Sequence, residues 1–230
     1  MDTLSILREF LSPIEGKRIL DIGCGSGALA ATLSAEGAKV VGIDVEETTI
    51  KSAMHNAPLA EFRTGSASQL PFPDQVFDAA IFVNSLHHID SLSMERALSE
   101  AGRVLKFGGH LIVIEPLPEG SFFEAFRSIE DETAVRLEGQ SAIRRFTRPD
   151  LRHEKNIEFL RIETFGDFDA FISRTTAADK SRLSTVEQNR EPIKQAFEEN
   201  STRGKHGSYV FEQPFKVDIW TRFRRIDARI

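Results

Sequence analysis

Residues 18–27 read RILDIGCGSG, and this stretch decides the fold. Its apolar first half predicts a buried strand, and the Ala- and Leu-rich residues 28–36 predict a helix that follows it. Between the two, Gly23, Gly25 and Gly27 let the backbone turn sharply and let a ligand lie directly against the main chain. The helix N-terminus beyond them offers N–H groups and the positive end of a dipole. The stretch therefore predicts a strand, a binding loop and a helix in succession.

Strand and helix patterns alternate from residue 17 to residue 116. Strands are predicted at 18–23, 39–44, 61–65, 77–83 and 110–115, the last after a turn at Gly108-Gly109, and helices at 28–36, 48–56 and 92–105. This alternation predicts an α/β fold whose parallel sheet carries helices on both faces. The nearly continuous apolar strands support that arrangement, because parallel strands are buried on both sides.

The second half of the chain has weaker periodicity. We predict a helix at 121–137, a strand at 157–165, a helix at 177–200 broken near Glu191 by Pro192, and a last strand at 209–223. The Phe-rich stretch around Phe122, Phe123 and Phe126 is expected to lie in the core. Because we find no repeat, low-complexity tract or linker, we predict one domain over residues 1–230.

Composition and charge argue against several classes of function. The formal net charge of −6 and the pI near 5.6 argue against a protein that coats nucleic-acid phosphates. The arginines near the C-terminus are expected to be a solvated face: Arg222, Arg224, Arg225 and Arg229. One cysteine, Cys24, permits no internal disulfide. With no signal-peptide pattern at residues 1–11 and no run of about 18 apolar residues, we expect a cytoplasmic protein.

The glycine loop alone leaves two cofactor classes open. Gly23, Gly25 and Ala28 also satisfy the dinucleotide fingerprint of nicotinamide-dependent oxidoreductases. Asp44 ends the second strand, where it can accept hydrogen bonds from ribose hydroxyls, and both classes share that feature. Asp21, at the start of the loop, favours a ligand with an amino group over a pyrophosphate, because a carboxylate repels phosphates.

The chain resembles the class I S-adenosylmethionine-dependent methyltransferases, especially their small-molecule, methyltransferase type 11 or UbiE-like, group. The segments that carry the resemblance follow in order: residues 21–27, Asp44, residues 70–78, residues 84–89 and residues 103–115. Together they cover about residues 15–116. Two positions depart from the pattern, since Ser66 stands where many relatives have an aspartate and Phe107 where a proline is common.

The resemblance implies a seven-stranded, mostly parallel, Rossmann-like sheet whose last strand is antiparallel. Residues 1–116 are then the cofactor-binding half, and residues 117–230 supply acceptor and lid elements, the lid from 117–150 and 166–207. The implied contacts of S-adenosylmethionine are Asp21, Gly23, Cys24, Gly25, Gly27 and Asn84 at its methionine end, Asp44 at the ribose, and Val45, Ser66 and Ala67 at the adenine. Cys24 is expected to act only as a small residue that fills the loop.

No catalytic residue is evident, and the weak candidates are His87, His88 and Glu115. A histidine pair can bind metal, but without a third ligand at suitable spacing we predict no metal site. The implied reaction is in-line methyl transfer to a small-molecule acceptor, with S-adenosylhomocysteine as product and positioning as the main source of catalysis. A nicotinamide-dependent oxidoreductase and a module that binds S-adenosylmethionine without transferring its methyl group remain alternatives. The acceptor atom and the oligomeric state are not predicted.

Overall fold

The observed strands and helices follow the predicted alternation closely in the first half of the chain. A computed structural model describes residues 2–177 and 179–224. Its strands are β1 Arg18–Ile22, β2 Lys39–Asp44, β3 Glu61–Thr64, β4 Phe77–Val83, β5 Leu105–Pro116, β6 Leu151–Phe165, β7 Thr202–Arg203 and β8 Tyr209–Arg222. Its helices are α1 Thr3–Leu11, α2 Ala28–Ala35, α3 Glu47–Asn56, α4 Met94–Val104, α5 Ser121–Phe126, α6 Thr133–Arg145, α7 Phe168–Ala177, α8 Arg182–Gln188 and α9 Arg190–Asn200.

The strands form one mixed sheet in the order β3-β2-β1-β4-β5-β8-β6, and the two-residue β7 pairs with β8. The first five strands pair in parallel. The amide of Phe223 donates to the carbonyl of Asp150 at 3.0 Å, so the end of β8 lies beside the start of β6 and the two run in opposite directions. The predicted α/β class, with a mostly parallel sheet and an antiparallel last strand, is confirmed.

Both sides of the parallel strands are buried. On one side, alternate strand residues join the apolar face of α4 in one cluster: Leu20, Ile22, Val41, Ile43, Ala80, Phe82, Leu111 and Val113. The helix contributes Met94, Ala97, Leu98, Ala101 and Val104, whose spacing of three and four places them on one face. Residues of the opposite parity, such as Ile19, Val40, Ile81 and Ile112, are also buried. This two-sided burial is what the apolar strand sequences predict.

Strand β5 is longer than predicted, because the Gly108-Gly109 pair lies within it. The pairing register shifts from Phe77 opposite Leu105 to Ala79 opposite His110, so the β5 side contains a bulge. Gly108 has φ +80°, and a Cβ on Gly109 would come within 2.9 Å of the carbonyl of Asp78. The glycines therefore permit a bulge, where the sequence suggested a turn.

Four differences from the prediction occur in the second half. The predicted helix at 121–137 is two helices, because the Asp131 carboxylate accepts from the amide of Thr133 at 3.0 Å and starts α6 anew. Helix α7 was not predicted, and Asp167 starts it in the same way by accepting from the amide of Ala170 at 2.8 Å. The predicted helix at 177–200 is α8 and α9, with the break at Asn189. Strand β6 begins at Leu151, earlier than predicted. The prediction missed this first part of the strand because residues 152–156 are polar and mostly exposed.

The chain divides into two compact units. The large unit comprises Asp2–Glu115, Glu138–Ile157 and the described part of Lys216–Ile230. The small unit comprises Pro116–Leu137 and Glu158–Phe215. The single domain over residues 1–230 stays a prediction, as does the lid. The expectation of a solvated arginine face is wrong for Arg222, which is 6% exposed and donates to the carbonyl of Arg103 at 2.7 Å. Arg225 and Arg229 of that face lie outside the described residues. Among the helices of the described ranges, none combines the length and apolar composition that a bilayer span requires.

Aromatic side chains form the core of the small unit. Phe123 and Phe126 are buried, which confirms the core position expected for the Phe-rich stretch, and Phe122 is partly buried. Phe171 is fully buried, and its ring centroid lies 5.1 Å from that of Phe197 and 5.4 Å from that of Phe165. Such contacts add to the hydrophobic stabilisation from burial.

Replacing Phe171 by alanine is expected to lower the free energy of unfolding by about 3–5 kcal/mol, because a large side chain leaves a cavity in a packed core. Urea denaturation measures this loss. Leu160→Ala is the control, since Leu160 is 45% exposed and its truncation should cost below about 1 kcal/mol. Equal costs for the two variants would contradict the aromatic core, and two separate unfolding transitions in the unaltered protein would contradict the single-domain prediction.

Candidate cofactor site

The glycines of the loop between β1 and α2 have different structural requirements. Gly23, Gly25 and Gly27 all have positive φ, at +71°, +51° and +84°. A Cβ on Gly23 would lie 2.4 Å from the Cβ of Ser85, and one on Gly27 would lie 3.1 Å from the Cβ of Ala53. A Cβ on Gly25 would meet no atom within 4 Å. Gly23 and Gly27 are therefore needed for packing, whereas Gly25 leaves an open space against the main chain.

Asp44 lies next to this open space. The amide of Gly25 donates to Asp44 Oδ2 at 3.0 Å, and the amide of Glu46 donates to Asp44 Oδ1 at 3.1 Å. The contact arises because β1 and β2 are parallel neighbours, with Ile22 opposite Ile43, so their carboxyl ends meet. A carboxylate has about four acceptor positions, so Asp44 retains capacity to accept from ligand hydroxyls.

Asp21 is an almost fully buried acid, 2% exposed, near the end of β1 and directly before the loop. Its Oδ2 has no hydrogen-bond partner among the described residues. Burial, and secondarily the charge of Asp44, raise the pKa of Asp21 to about 7. A buried carboxyl oxygen without a partner fits a ligand that brings a cationic donor, and it disfavours a phosphate.

Cys24 is a buried thiol of the same loop. Burial, then the charges of Asp21 and Asp44, raise its pKa far above the ordinary range, so the thiol stays neutral and unreactive. Its Sγ lies 2.9 Å from the position of a Cβ on Gly42, which shows how tightly the loop packs on β2. These contacts support the expectation that Cys24 fills space.

The residues expected at the adenine follow β2 and β3. Val45 is 65% exposed although it is apolar, as a residue that packs on a ligand ring would be before binding. Ser66 is exposed, its Oγ lies 3.0 Å from that of Ser68, and it also accepts from the Ser68 amide at 3.3 Å. Ala67 packs in part against the core. The turn that holds Ser66 and Ala67 begins beside Asp44, whose carbonyl accepts from the amide of Gly65 at 2.9 Å.

The loop after β4 contacts the glycine loop. Asn84 is exposed and adopts φ +54°, which an asparagine tolerates better than most residues. Ser85 Oγ donates to the carbonyl of Ile22 at 2.7 Å, and the Ser85 side chain occupies the space that a Cβ on Gly23 would need. Ser85 thus links the two loops, a role that the sequence alone did not indicate.

Glu115, near the end of β5, holds the loop after β4 in place. Its carboxylate is 2% exposed and accepts from the amides of Ser85 and Leu86, each at 2.9 Å, and it pairs with Nδ1 of His87. Burial raises the pKa of Glu115, but the charge and hydrogen bond of His87 and the two amides outweigh it, so the pKa is lowered overall. Glu115 is therefore an ionised acceptor that orders the loop.

The histidine pair has two different environments. His87 is 4% exposed, whereas His88 is exposed, and their ring centroids lie 4.1 Å apart at an interplanar angle of 43°. The prediction that these residues hold no metal, and the catalytic roles weighed for His87, His88 and Glu115, stay predictions.

Comparison with known proteins identifies the segment that contains these residues. Residues 20–113 match the family model described as "Methyltransferase domain". These residues are therefore similar to a methyltransferase domain. The chain is 35% identical over 122 residues to the fatty-acid O-methyltransferase of Mycolicibacterium smegmatis. The aligned segment covers 51% of the chain and 44% of the relative. The chain is also 35% identical over 109 residues to the demethylmenaquinone methyltransferase of Tropheryma whipplei. Here the aligned segment covers 46% of the chain and 45% of the relative.

The chain spans less than half of the length of these curated relatives. Over nearly the whole chain, the fold is similar to that of the YcgJ protein of Bacillus subtilis, with a TM-score of 0.64, 20% identity, and coverage of 96% of this chain and 98% of that one. At this identity the likeness shows the fold alone. The comparisons support S-adenosylmethionine as the cofactor and give no support to the oxidoreductase alternative.

The large unit brings the expected site residues to one edge of the sheet. They follow the carboxyl ends of parallel strands: residues 23–27 after β1, Asp44 and Val45 at β2, Ser66 and Ala67 after β3, Asn84 to His88 after β4, and Glu115 near the end of β5. In open α/β sheets this edge is where ligands bind.

Proposed function

We propose that this chain transfers the methyl group of S-adenosylmethionine to a small-molecule acceptor. One observation carries the proposal: the hydrogen bond from the amide of Gly25 to Asp44 at 3.0 Å places the open glycine loop beside an acid that can hold a ribose. A pocket for an adenosyl group needs both features within the length of one nucleoside. The match of residues 20–113 to the methyltransferase domain supports the same function.

Each end of the cofactor has a suitable partner in the large unit. Asp44 would accept from the ribose hydroxyls, and the exposed Val45 would pack on the adenine, with Ser66 and Ala67 along its edge. The open space at Gly25 and the unpartnered Oδ2 of Asp21 fit the amino-acid end, whose ammonium would supply the missing donor. Gly23, Cys24, Gly27 and Asn84 would shape the surrounding backbone.

The proposed reaction requires the protein mainly to position the acceptor and the cofactor. The bound sulfonium supplies an activated methyl group and a neutral leaving group. The chain must hold the acceptor in line with that methyl group and exclude water, and such positioning is worth about 7–11 kcal/mol. The glycine loop and Asp44 do this for the cofactor. The relatives are named for a fatty acid and for demethylmenaquinone, which supports a small-molecule acceptor and not a nucleic acid. We also propose that the protein acts in the cytoplasm.

Two measurements test the proposed function. Calorimetric titration with S-adenosylhomocysteine is expected to show one site with micromolar affinity, and a titration with NAD⁺ is expected to show no heat. Incubation with S-adenosylmethionine carrying a radiolabelled methyl group, in a metabolite extract, is expected to label a small molecule. Absence of binding would contradict the cofactor site. Binding without transfer under all conditions would instead leave a module that binds the cofactor and catalyses nothing.

Asp21→Asn is expected to change stability and affinity in opposite directions. The pKa of Asp21 in the folded protein, about 7, lies above its unfolded value of about 3.9, so the folded state loses stability as the pH rises from about 4 to about 7 and loses no more above that. The variant without ligand should therefore gain about 2–4 kcal/mol at pH 8 and only about 1 kcal/mol at pH 5. Its affinity for S-adenosylhomocysteine should fall at least about tenfold, because the partner of the ammonium is lost.

Thermal unfolding at both pH values and calorimetry check these expectations. Asp169→Asn is the matched control, since the Asp169 side chain is 78% exposed and pairs only at the surface with Arg190. An Asp21→Asn variant that binds as tightly as the unaltered protein would show that the ammonium lies elsewhere.

A further inference from the structure

Strand β6 is the last strand of the sheet, and its outer edge is free in the single chain. Among the described strands it pairs only with β8. Within residues 2–177 and 179–224, no backbone hydrogen bond joins residues 158–164 to a helix or a loop. Proteins usually protect such an edge with a short strand, a proline, a lysine or a covering segment, because its N–H and C=O groups attract other strands. Strand β6 has 15 residues, and residues 158–165 contain no proline or lysine, so this edge is open to a further strand.

One face of this segment is apolar and exposed. Leu160 is 45% exposed and Ile162 is 53% exposed. The exposed polar residues Glu158 and Thr164 flank them on the same face, because alternate residues of a strand share a face. A second strand beside β6 would remove part of both apolar side chains from water, which favours pairing.

Two charged residues on the opposite face indicate which strand fits. Arg161 Nε and Glu163 Oε1 lie 2.5 Å apart, with side chains 30% and 8% exposed, and Arg174 lies 3.5 Å from the other oxygen of Glu163. The first two atoms form an ion pair without hydrogen-bond geometry, and in the described part of the chain neither atom has a hydrogen-bond partner. Such inward charges protect an edge against unrelated strands, because an apolar strand leaves them unmatched. A fitting strand must bring an acid opposite Arg161 and a base opposite Glu163.

The same segment of a second copy meets this requirement. In antiparallel pairing, residues directly opposite each other share a face of the sheet. With a two-fold axis at Ile162, Arg161 lies opposite the partner's Glu163, and Glu163 lies opposite the partner's Arg161. An axis at Arg161 or at Glu163 would set like charges opposite each other. An axis at Leu160 would set Arg161 opposite the partner's Phe159. Only the axis at Ile162 sets these two charges opposite each other.

We infer that two copies of this chain form a dimer by antiparallel pairing of their β6 strands about a two-fold axis at Ile162. The pairing joins the two sheets into one. On the exposed face, Ile162 lies against the partner's Ile162, and Leu160 lies against the partner's Thr164. On the other face, Phe159 lies opposite the partner's Phe165. Aromatic, β-branched and opposite-charge pairs across strands stabilise sheets.

Sedimentation equilibrium of the full chain tests the dimer and does not depend on methyl transfer. At about 10–100 µM we expect a species of twice the chain mass of 25.8 kDa. Ile162→Lys should raise the dissociation constant at least about hundredfold, because it sets two ammonium groups opposite each other at the axis. Leu183→Lys is the matched control and should leave the dimer intact, since Leu183 is an apolar residue of the small unit, 42% exposed, on α8. Both variants change exposed side chains, so both should fold.

Oxidative cross-linking of Ile162→Cys and Thr164→Cys tests the register. The native chain has only the buried Cys24. Two opposite Cα atoms in an antiparallel pair lie about 4.5–5.5 Å apart, within reach of a disulfide, so Ile162→Cys should give a covalent dimer. The two copies of residue 164 are about 14 Å apart in this register, so Thr164→Cys should cross-link at least about tenfold more slowly.

Three results would overturn the inference. A chain that stays monomeric at about 100 µM would leave the edge to a strand of another protein. A dimer that Ile162→Lys leaves intact would use another surface. Cross-linking of Thr164→Cys as fast as that of Ile162→Cys would exclude the axis at Ile162.

Discussion

Gly25→Ala is expected to reduce affinity for S-adenosylhomocysteine at least about hundredfold while the protein stays folded. A Cβ at Gly25 meets no protein atom within 4 Å, so it would project into the space that we assign to the ligand. The positive φ of +51° adds a backbone cost of about 1 kcal/mol, because only glycine adopts this region freely. Calorimetric titration and urea denaturation measure the two effects separately.

Gly108→Ala separates the ligand effect from the backbone effect. Gly108 has φ +80° and, like Gly25, open space around the position of a Cβ, but it lies in the bulge of β5. Its replacement should cost similar stability and leave affinity unchanged. Gly23→Ala should instead destabilise the protein by more than either, since its Cβ would lie 2.4 Å from that of Ser85. If Gly25→Ala and Gly108→Ala bind equally well, the loop does not hold the ligand.

Asp44→Ala is expected to weaken binding of S-adenosylhomocysteine at least about hundredfold. Hydrogen bonds to a charged group contribute about 1.5–3 kcal/mol each, and the ribose offers two hydroxyls to this carboxylate. The variant also loses the acceptor for the amides of Gly25 and Glu46, so the loop would be less well ordered before binding. The dissociation constant from calorimetry gives the result.

Two further variants make the Asp44 result specific. Asp44→Asn keeps one acceptor oxygen and the size of the side chain, so its affinity should lie between those of Asp44→Ala and the unaltered protein. Asp169→Ala removes an exposed aspartate of the small unit and should change nothing. An Asp44→Ala variant within threefold of normal affinity, roughly 0.6 kcal/mol, would exclude a ribose contact at this residue.

The first half of the fold could be predicted because its determinants are local. Strand β2 and strand β4 have the predicted bounds, since each is a largely apolar run that ends at a polar residue or a loop. The approach of Gly25 to Asp44 also followed from the sequence, because neighbouring parallel strands place their carboxyl ends together. In this half of the chain, the apolar pattern of each strand and the pairing of the strands predict the same arrangement.

The second half was harder because its helix boundaries depend on single capping residues. Asp131 and Asp167 start α6 and α7 within stretches whose apolar spacing does not mark a boundary. In β6, the exposed polar residues 152–156 obscured the early start of the strand. Hydrophobic periodicity is least informative where an element is short or mostly exposed.

The roles of Ser85 and Glu115 could not be read from the sequence. Glu115 is 28 residues from His87, and only the pairing of β4 with β5 brings the two together. Ser85 can link the two loops only because Gly23, 62 residues earlier in the chain, has no Cβ and leaves space for the Ser85 side chain. A small residue two positions after the fourth strand was the available signal, but it becomes informative only once the strand order is known.

A crystal structure of the chain with S-adenosylhomocysteine tests the central claim most directly. We expect both ribose hydroxyls within about 3 Å of the Asp44 carboxylate, the adenine against Val45, and the amino-acid end over Gly25 with its ammonium near Oδ2 of Asp21. Density for the ligand at another edge of the sheet, or in this slot with the adenine and amino-acid ends exchanged, would contradict the account.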